Sequence, residues 1–169
     1  MDKNRYARGA HTVTDLQYHF VWKTKYSYGV LKGETALRIR DIVREICVEN
    51  GMAIVKGNVR PNHIHLMLRA PSHLSPSKMA QYLKGKSSYR LQREFPELRK
   101  RYWGQHLWGR GYFCATVGAV TEDQVKKYIE NQSEEPGTFK IWDEKENDQV
   151  GKAELKPDVH PESSDDLQS

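Results

Sequence analysis

The order of strand-like and helix-like segments constrains the fold of this chain more than any other feature of its sequence. Residues 11–26 alternate apolar and polar side chains as a strand does, and residues 34–51 carry the apolar stripe of an amphipathic helix. Two further strand-like segments flank a tight turn at residues 61–62, which predicts a hairpin. A second helix over residues 75–95 and a fourth strand over residues 112–117 follow.

The segment order β-α-β-β-α-β predicts an α+β fold of the ferredoxin-like (RRM-like) kind, a four-stranded antiparallel sheet with two helices on one face. A third, C-terminal helix, "TEDQVKKYIENQSEE", is an addition to it. We expect an N-terminal extension over residues 1–10, one domain over residues 11–135, and an acidic, mobile tail over residues 136–169. Three apolar residues near the start of that tail could dock on the domain: Phe139, Ile141 and Trp142.

Composition narrows the class of protein. Apolar residues make up 37% of the 169 residues, and no run of them is long enough to cross a bilayer. The N-terminus lacks the apolar centre of a signal peptide, so we expect a cytoplasmic protein with no membrane partner. Cys47 and Cys114 are accordingly expected to be reduced, buried thiols rather than a disulfide or a metal pair.

Charge is distributed unevenly along the chain. Residues 141–169 carry nine acidic and three basic side chains, a net charge of −6. The whole chain has 27 basic and 22 acidic residues, so the first 140 residues carry 24 basic and 13 acidic ones, a net charge of +11. A strongly basic body favours a polyanionic partner such as nucleic acid, and a solvated, soluble surface is the alternative.

Two histidines stand one residue apart in the third strand, "HIHLMLRA". Alternation places His63 and His65 on the face opposite Ile64 and Leu66, which can bury against the helices. The two imidazoles could then share a metal ion; cross-strand packing and an exposed pair are the alternatives. The other histidines show no zinc-site spacing, although His19 in strand one could be a core residue or support the metal ligands. An open site completed by oxygen ligands is favoured, as for Mg²⁺ or Mn²⁺ holding a phosphate.

The third helix carries a tyrosine and a glutamine one turn apart. Tyr128 and Gln132 form the row next to Val125 and Ile129, the apolar residues that can pack on the domain. A half-buried tyrosine that anchors the helix is one interpretation. The other is a nucleophile, because a phenol, whose pKa is about 10, can attack a phosphodiester if a metal withdraws charge from the phosphate oxygens. Gln132 could then offer its amide oxygen to the same metal.

These segments occur together in a known family. "PNHIHLML" followed by "KKYIENQ", with "LQYHFVWKTKY" and "LWGRGYFCATVG", resembles the single-tyrosine HUH transposases of the insertion-sequence 200/605 type, over residues 11–135. The resemblance implies that His63 and His65 bind Mg²⁺ or Mn²⁺, that Gln132 is a further metal ligand, and that Tyr128 is the nucleophile.

The same resemblance implies a DNA transposase that cleaves and rejoins single-stranded DNA at hairpin-marked element ends through a covalent 5′-phosphotyrosine, without ATP. It also implies a homodimer in which the tyrosine helix of one subunit can complete the active site of the other. Residue 62 is Asn where family members often have Asp. As a turn residue, Asn62 is expected to have little effect.

Basic side chains are dense on the second helix and the loop after it, interleaved with aromatic rings that can stack on unpaired bases. The DNA-binding set that we predict also includes one lysine of the third helix: Lys84, Lys86, Arg90, Arg93, Arg99, Lys100, Arg101 and Lys127.

Three other functions compete with the transposase. A non-catalytic ferredoxin-like RNA- or DNA-binding module is one, although such modules usually carry paired aromatic rings where this strand carries two histidines. A domesticated HUH nickase on the same scaffold is another. A metal-dependent hydrolase that uses activated water is the third, and it would not need Tyr128.

Overall fold

The structure, a computed structural model, describes residues 7–8, 10–118, 124, 126–127, 129, 131 and 139–142. Its strands are β1 (Ala7–Arg8), β2 (Val13–Thr14), β3 (Leu16–Lys23), β4 (Ala53–Arg60), β5 (His63–Ala70), β6 (Phe113–Thr116) and β7 (Phe139–Trp142). Its helices are α1 (Glu34–Glu49), α2 (Pro76–Gln81), α3 (Ser87–Glu94) and α4 (Pro96–Arg101), with a 3-10 turn at Lys25–Ser27 and a π-helical turn at Tyr82–Lys86.

The main sheet is antiparallel throughout, with the strand order β6-β3-β5-β4-β7. Its first four members confirm the predicted ferredoxin-like arrangement, because β3 and β5 lie in the centre with β6 and β4 beside them. β7 adds a fifth strand within the predicted tail, and the rest of that tail lies outside the described residues. Near the N-terminus of the chain, β1 and β2 form a small two-stranded hairpin that is separate from the main sheet. The proposed domain boundaries stay a prediction.

The apolar stripe of α1 packs against one face of the sheet, here called the helix face. Ile39, Ile42 and Ile46 of α1 are fully buried in one cluster with Phe20 of β3. Gly51 ends the helix with a φ of 67°, a left-handed conformation that glycine adopts without a steric penalty. This cluster is the main core, and it fixes the orientation of β3 and β5.

The second predicted helix begins where expected and runs through α2, the π-helical turn and α3. The Lys78 amide donates a hydrogen bond of 3.3 Å to the Ser75 hydroxyl, and Pro76 occupies the first helical position. The prediction that only a loop follows this helix is wrong in part. Pro96 begins the short helix α4, because proline fits the first turn of a helix even though it ends the preceding one.

The opposite side of the sheet, here called the second face, carries His63, His65 and Met67 of β5. The third helix packs on it: the described residues Gln124, Lys126, Lys127 and Asn131 are helical, and so is the buried Ile129. Ile129 belongs to a separate apolar cluster that contains Val55, Met67, Val117 and Ile129. Within the described ranges, no helix is long and apolar enough to pass through a membrane.

Candidate metal centre and nucleic-acid surface

His63 and His65 lie side by side on the second face, as the alternation along β5 predicts. Their ring centroids are 4.9 Å apart, and the ring planes meet at 69°. His65 is buried between Val21 of β3 and Asn58 of β4, its direct partners across the sheet, and His63 is half-buried at the start of the strand. Two adjacent imidazoles on one rigid strand can supply two of the ligands of a metal ion.

The ring of His63 is oriented by its neighbour in the hairpin turn. Its Nδ1 lies 2.6 Å from the side-chain oxygen Oδ1 of Asn62. An amide oxygen only accepts hydrogen bonds, so Nδ1 carries the hydrogen and Nε2 keeps the lone pair that a metal ligand requires. Asn62 therefore does more than form the turn that the sequence predicts, because it also sets the tautomer of His63.

His19 of β3 supports His65 in a comparable way. The Nε2 atom of His19 lies 3.4 Å from Nδ1 of His65, and the two rings are nearly parallel at a centroid distance of 5.6 Å. If His65 binds a metal through Nε2, its Nδ1 must be the donor and His19 the acceptor. The edge of Phe113 packs on His19 at 5.9 Å between centroids. Of the two possibilities for His19, the contact favours support of a metal ligand over simple core packing.

Burial and nearby positive charge favour the neutral form of both imidazoles. Burial, followed by the charges of His63, His19 and Arg60, lowers the pKa of His65 to about 4. Burial, followed by Arg60 and Lys23, also lowers the pKa of His63 below its usual value. A neutral imidazole has the free lone pair that metal binding needs. The same cations border the pair and favour an anionic ligand such as a phosphate.

The donor set fits a divalent ion with open positions. Among the described residues there is no group of three or more His, Cys, Asp and Glu side chains that could hold a metal, so His19 does not complete a three-ligand site. Two imidazoles that leave room for oxygen ligands suit Mg²⁺ or Mn²⁺. Gln132 and Tyr128, the third ligand and the nucleophile expected from the sequence, lie outside the described residues. Ile129, beside Tyr128 in the chain, packs on the face that carries the histidines.

A basic groove of about 1060 Å³ lies on the side of the helices. Three residues of the predicted DNA-binding set line it, namely Lys84 from the π-helical turn, Arg93 from α3 and Arg99 from α4. Tyr89 and Trp108, two of the aromatic rings interleaved with the predicted cations, also line the groove. Four further lining side chains were not predicted to bind DNA: Lys25, Tyr26, His106 and Arg110. Cations with interspersed rings are the composition of a surface that binds unpaired nucleotides.

Two other members of the predicted set, Lys86 and Arg90, make ion pairs with α1. Arg90 lies 2.7 Å from a carboxylate oxygen of Glu49 and 3.3 Å from one of Glu45, and Lys86 lies 3.4 Å from Glu49. The guanidinium of Arg90 lowers the pKa of Glu49, so this carboxylate stays charged. Carboxylates this close partly offset the positive charge that Lys86 and Arg90 would present to DNA.

The last three members of the set are exposed and do not line the groove. Lys100 and Arg101 end α4, and the Arg101 guanidinium lies 4.6 Å from the centre of the Tyr28 ring. Lys127 is exposed on the third helix, one residue from Tyr128. The predicted set therefore consists of a groove subset, a paired subset and scattered cations, a division that the sequence did not indicate.

The chain matches the model of the family described as Transposase IS200 like, over residues 12–132. It is 38% identical over 125 residues to the ISDra2 transposase TnpA of Deinococcus radiodurans, which covers 74% of this chain and 89% of that protein. It is 36% identical over 126 residues to the transposase for insertion sequence element IS200 of Salmonella typhimurium, which covers 75% and 82%.

Two solved structures resemble the fold. A crystal structure of a Deinococcus radiodurans R1 protein, described as a transposase, has a TM-score of 0.63 and 38% identity, and the match covers 75% of this chain and 97% of that one. The structure of the REP-associated tyrosine transposase bound to a REP hairpin has a TM-score of 0.56, with coverage of 94% and 93%. Its 12% identity supports a common fold alone.

Proposed function

This chain belongs to the IS200-like transposase family, and on that premise we propose that it cleaves and rejoins single-stranded DNA at hairpin-marked element ends through a covalent 5′-phosphotyrosine. The observation that carries the proposal is the His63–His65 pair, whose rings lie 4.9 Å apart on the face where the tyrosine-bearing helix packs. A binding module does not need two oriented imidazoles on this face.

In the proposed reaction, His63 and His65 hold Mg²⁺ or Mn²⁺ together with the amide oxygen of Gln132. When bound, the ion withdraws charge from the scissile phosphate. The phenol of Tyr128 loses its proton to solvent, and its oxygen bonds to phosphorus while the bond from phosphorus to the 3′ oxygen breaks. The leaving 3′ oxygen takes a proton from solvent, so the products are a 5′-phosphotyrosine and a free 3′-hydroxyl. Attack by a 3′-hydroxyl on the phosphotyrosine reverses the step, rejoins DNA and releases the tyrosine.

In this proposal, basic side chains of the described residues bind the DNA strand at two separate sites. Arg60 and Lys23, across the sheet from His63, attract the scissile phosphate toward the imidazoles. The basic groove on the side of the helices holds another part of the same strand. We further propose, from the family resemblance, that the protein acts in the cytoplasm as a homodimer that can share its active sites.

The groove predicts which arginines matter for DNA affinity. Arg93→Ala and Arg99→Ala are expected to weaken binding of single-stranded DNA and to lower the magnitude of the salt slope of log K by about 0.7 for each phosphate that the protein no longer neutralises. Fluorescence anisotropy across a salt series measures both quantities. Arg90→Ala is the matched control from the same helix, and because its charge is offset by Glu45 and Glu49, it is expected to change the slope less. An Arg90→Ala effect equal to that of Arg93→Ala would show that the groove does not distinguish them.

A covalent-adduct assay tests the proposed function. The full chain is incubated with Mg²⁺ or Mn²⁺ and single-stranded oligonucleotides that carry the imperfect palindromes flanking its gene, and denaturing gels report protein–DNA adducts. The expected result is an adduct in the wild type and in Tyr112→Phe, a control at an exposed tyrosine, and none in Tyr128→Phe, which still binds DNA.

Other outcomes identify the competing functions. Cleavage that survives Tyr128→Phe would point to a hydrolase with activated water, and binding without cleavage in either metal would point to a binding module. An adduct that never passes to a second DNA end would support a nickase, since transposition requires rejoining.

A further inference from the structure

Two exposed aromatic side chains border the basic groove, and we call them the aromatic rim. Trp103 is 92% exposed and Tyr26 is 66% exposed, the highest values among the large apolar side chains of the described residues. Tyr26 lines the groove, and Trp103 lies in the chain between Arg99 and Gln105, two residues that also line it. Single exposed apolar side chains are ordinary on protein surfaces, so a function for these two has to follow from how they are held and from what surrounds them.

Trp103 is part of a tight turn that the rest of the domain holds in place. The Gln105 amide donates a hydrogen bond of 3.0 Å to the carbonyl of Tyr102, whose side chain is fully buried. The side-chain nitrogen Nε2 of Gln92 in α3 donates a hydrogen bond of 2.8 Å to the Gln105 carbonyl. Gly104 and Gln105 are both left-handed, with φ of 79° and 58°. A residue other than glycine keeps this conformation where the surrounding structure imposes it, so Trp103 is presented on a fixed backbone.

Tyr26 is presented in a similar way on the turn after β3. Its φ is 60° and that of Ser27 is 53°, so both are left-handed. The Lys25 amide donates a hydrogen bond of 2.8 Å to the carbonyl of Leu107, which ties this turn to the loop after α4. In the part of the chain that the structure describes, three residues other than glycine have a positive φ, and two of them, Tyr26 and Gln105, line the groove. Such concentration of backbone strain is typical of a preorganised functional site.

A row of ring contacts joins the two turns. The centroid of the Tyr26 ring lies 5.4 Å from that of Tyr28, and the Tyr28 centroid lies 5.8 Å from that of Tyr102, the residue before Trp103. The ammonium nitrogen of Lys25 lies 5.2 Å from the centre of the Tyr26 ring. The two rim residues are therefore held by connected turns, and a cation that can bind a phosphate lies beside one of them.

We propose that Tyr26 and Trp103 stack on unpaired bases of the single strand that occupies the basic groove, while the cations of the groove bind its phosphates. The inference deepens the proposed function and rests on it, because only there is single-stranded DNA the substrate. Charge favours this occupant over a second protein surface, since Arg99, Lys100 and Arg101 directly precede the turn. An aromatic face stacks on any base, so the rim adds affinity without sequence preference.

Trp103→Leu and Tyr26→Leu test the proposal, because leucine keeps an apolar side chain and removes the aromatic face. Each variant is expected to bind a labelled single-stranded oligonucleotide of mixed sequence roughly fivefold to a hundredfold more weakly, the usual range for the loss of one contact between a base and an aromatic ring. The salt slope of log K is expected to stay unchanged, because no phosphate contact is lost, in contrast to Arg99→Ala. Fluorescence anisotropy across a salt series, with a chelator to prevent cleavage, measures both quantities.

An abasic oligonucleotide of the same length and charge is the control ligand, and both leucine variants are expected to bind it as the wild type does. Tyr112→Leu is the matched control protein, because Tyr112 is 42% exposed and does not line the groove. It is expected to bind the mixed-sequence oligonucleotide with wild-type affinity. Trp103→Tyr keeps an aromatic ring and is expected to retain most of the affinity that Trp103→Leu loses.

Three results would overturn the proposal. They are an equal loss of affinity for the abasic oligonucleotide, wild-type affinity for the mixed-sequence oligonucleotide in either leucine variant, and a changed oligomeric state of Trp103→Leu with wild-type DNA affinity, which would identify the rim as a protein contact. Each of them leaves the proposed function intact as long as the wild type forms the covalent adduct. Adduct formation by Tyr128→Phe, by contrast, would refute the proposed function itself.

Discussion

His63→Ala and His65→Ala proteins are expected to form the adduct at least about a hundredfold more slowly, because each change removes one of the two imidazoles that we assign to the metal. Their affinity for Mn²⁺, measured by calorimetry or by electron paramagnetic resonance, is expected to fall in parallel. Binding of single-stranded DNA in the presence of a chelator is expected to stay near the wild-type value, since neither imidazole lies in the basic groove.

His73→Ala is the matched control for these two variants. His73 is an exposed histidine in the loop after β5, outside the pair and outside the basic groove. It is expected to bind Mn²⁺ and to form adduct as the wild type does. Wild-type Mn²⁺ affinity in both His63→Ala and His65→Ala would contradict the assignment of the pair as metal ligands, whatever happened to activity.

Phe20→Ala is expected to have the largest effect on folding stability. The ring of Phe20 is fully buried in the main core between β3 and the helices. Removal of a buried phenylalanine side chain costs about 3–5 kcal/mol, a large share of the stability of a domain of this size. Urea unfolding followed by circular dichroism measures the change in the free energy of unfolding, with an unchanged slope if both states keep their compactness.

Phe113→Ala provides the comparison with the same residue type. Phe113 lies on the neighbouring strand β6 but is 55% exposed, so its truncation removes less buried apolar area. A loss of less than about 1 kcal/mol is expected. Equal losses in the two variants would show that the main core does not lie on the helix face as described.

Local patterns in the sequence were sufficient for most of the fold. Alternation in β3 and β5 separates two faces, and the stripe of α1 identifies which of them is covered by helices. The same alternation predicts that His63 and His65 face away from Ile64. These are properties of single elements, and each follows from a repeat of two or 3.6 residues.

Contacts between distant segments could not be predicted in this way. The approach of His19 to His65 depends on the register of β3 against β5, and the hydrogen bond of Asn58 with Ile129 joins residues 71 positions apart. The pairing of Arg90 with Glu49 depends on how α3 crosses α1. None of these distances can be read from the sequence. The sequence therefore predicts one continuous basic surface, whereas the structure separates the cations that line the groove from those that are paired with carboxylates.

β7 illustrates the same limit at the end of the chain. In the sequence, its residues follow Pro136-Gly137, a pair that disfavours regular secondary structure, and they precede an acidic run. This composition is typical of a mobile tail. β7 pairs with the outer edge of β4, where an unpaired strand edge would offer free backbone donors and acceptors.

Mass spectrometry of the trapped adduct tests the central claim most directly. Protease digestion of the adduct, followed by nuclease trimming of the DNA, leaves a peptide that carries a nucleotide. If Tyr128 is the nucleophile, fragmentation of this peptide is expected to place the 5′-phosphate on Tyr128, both in the wild-type protein and in the Tyr112→Phe control. A nucleotide on any other side chain, or cleaved DNA with unmodified Tyr128 throughout the reaction, would contradict it.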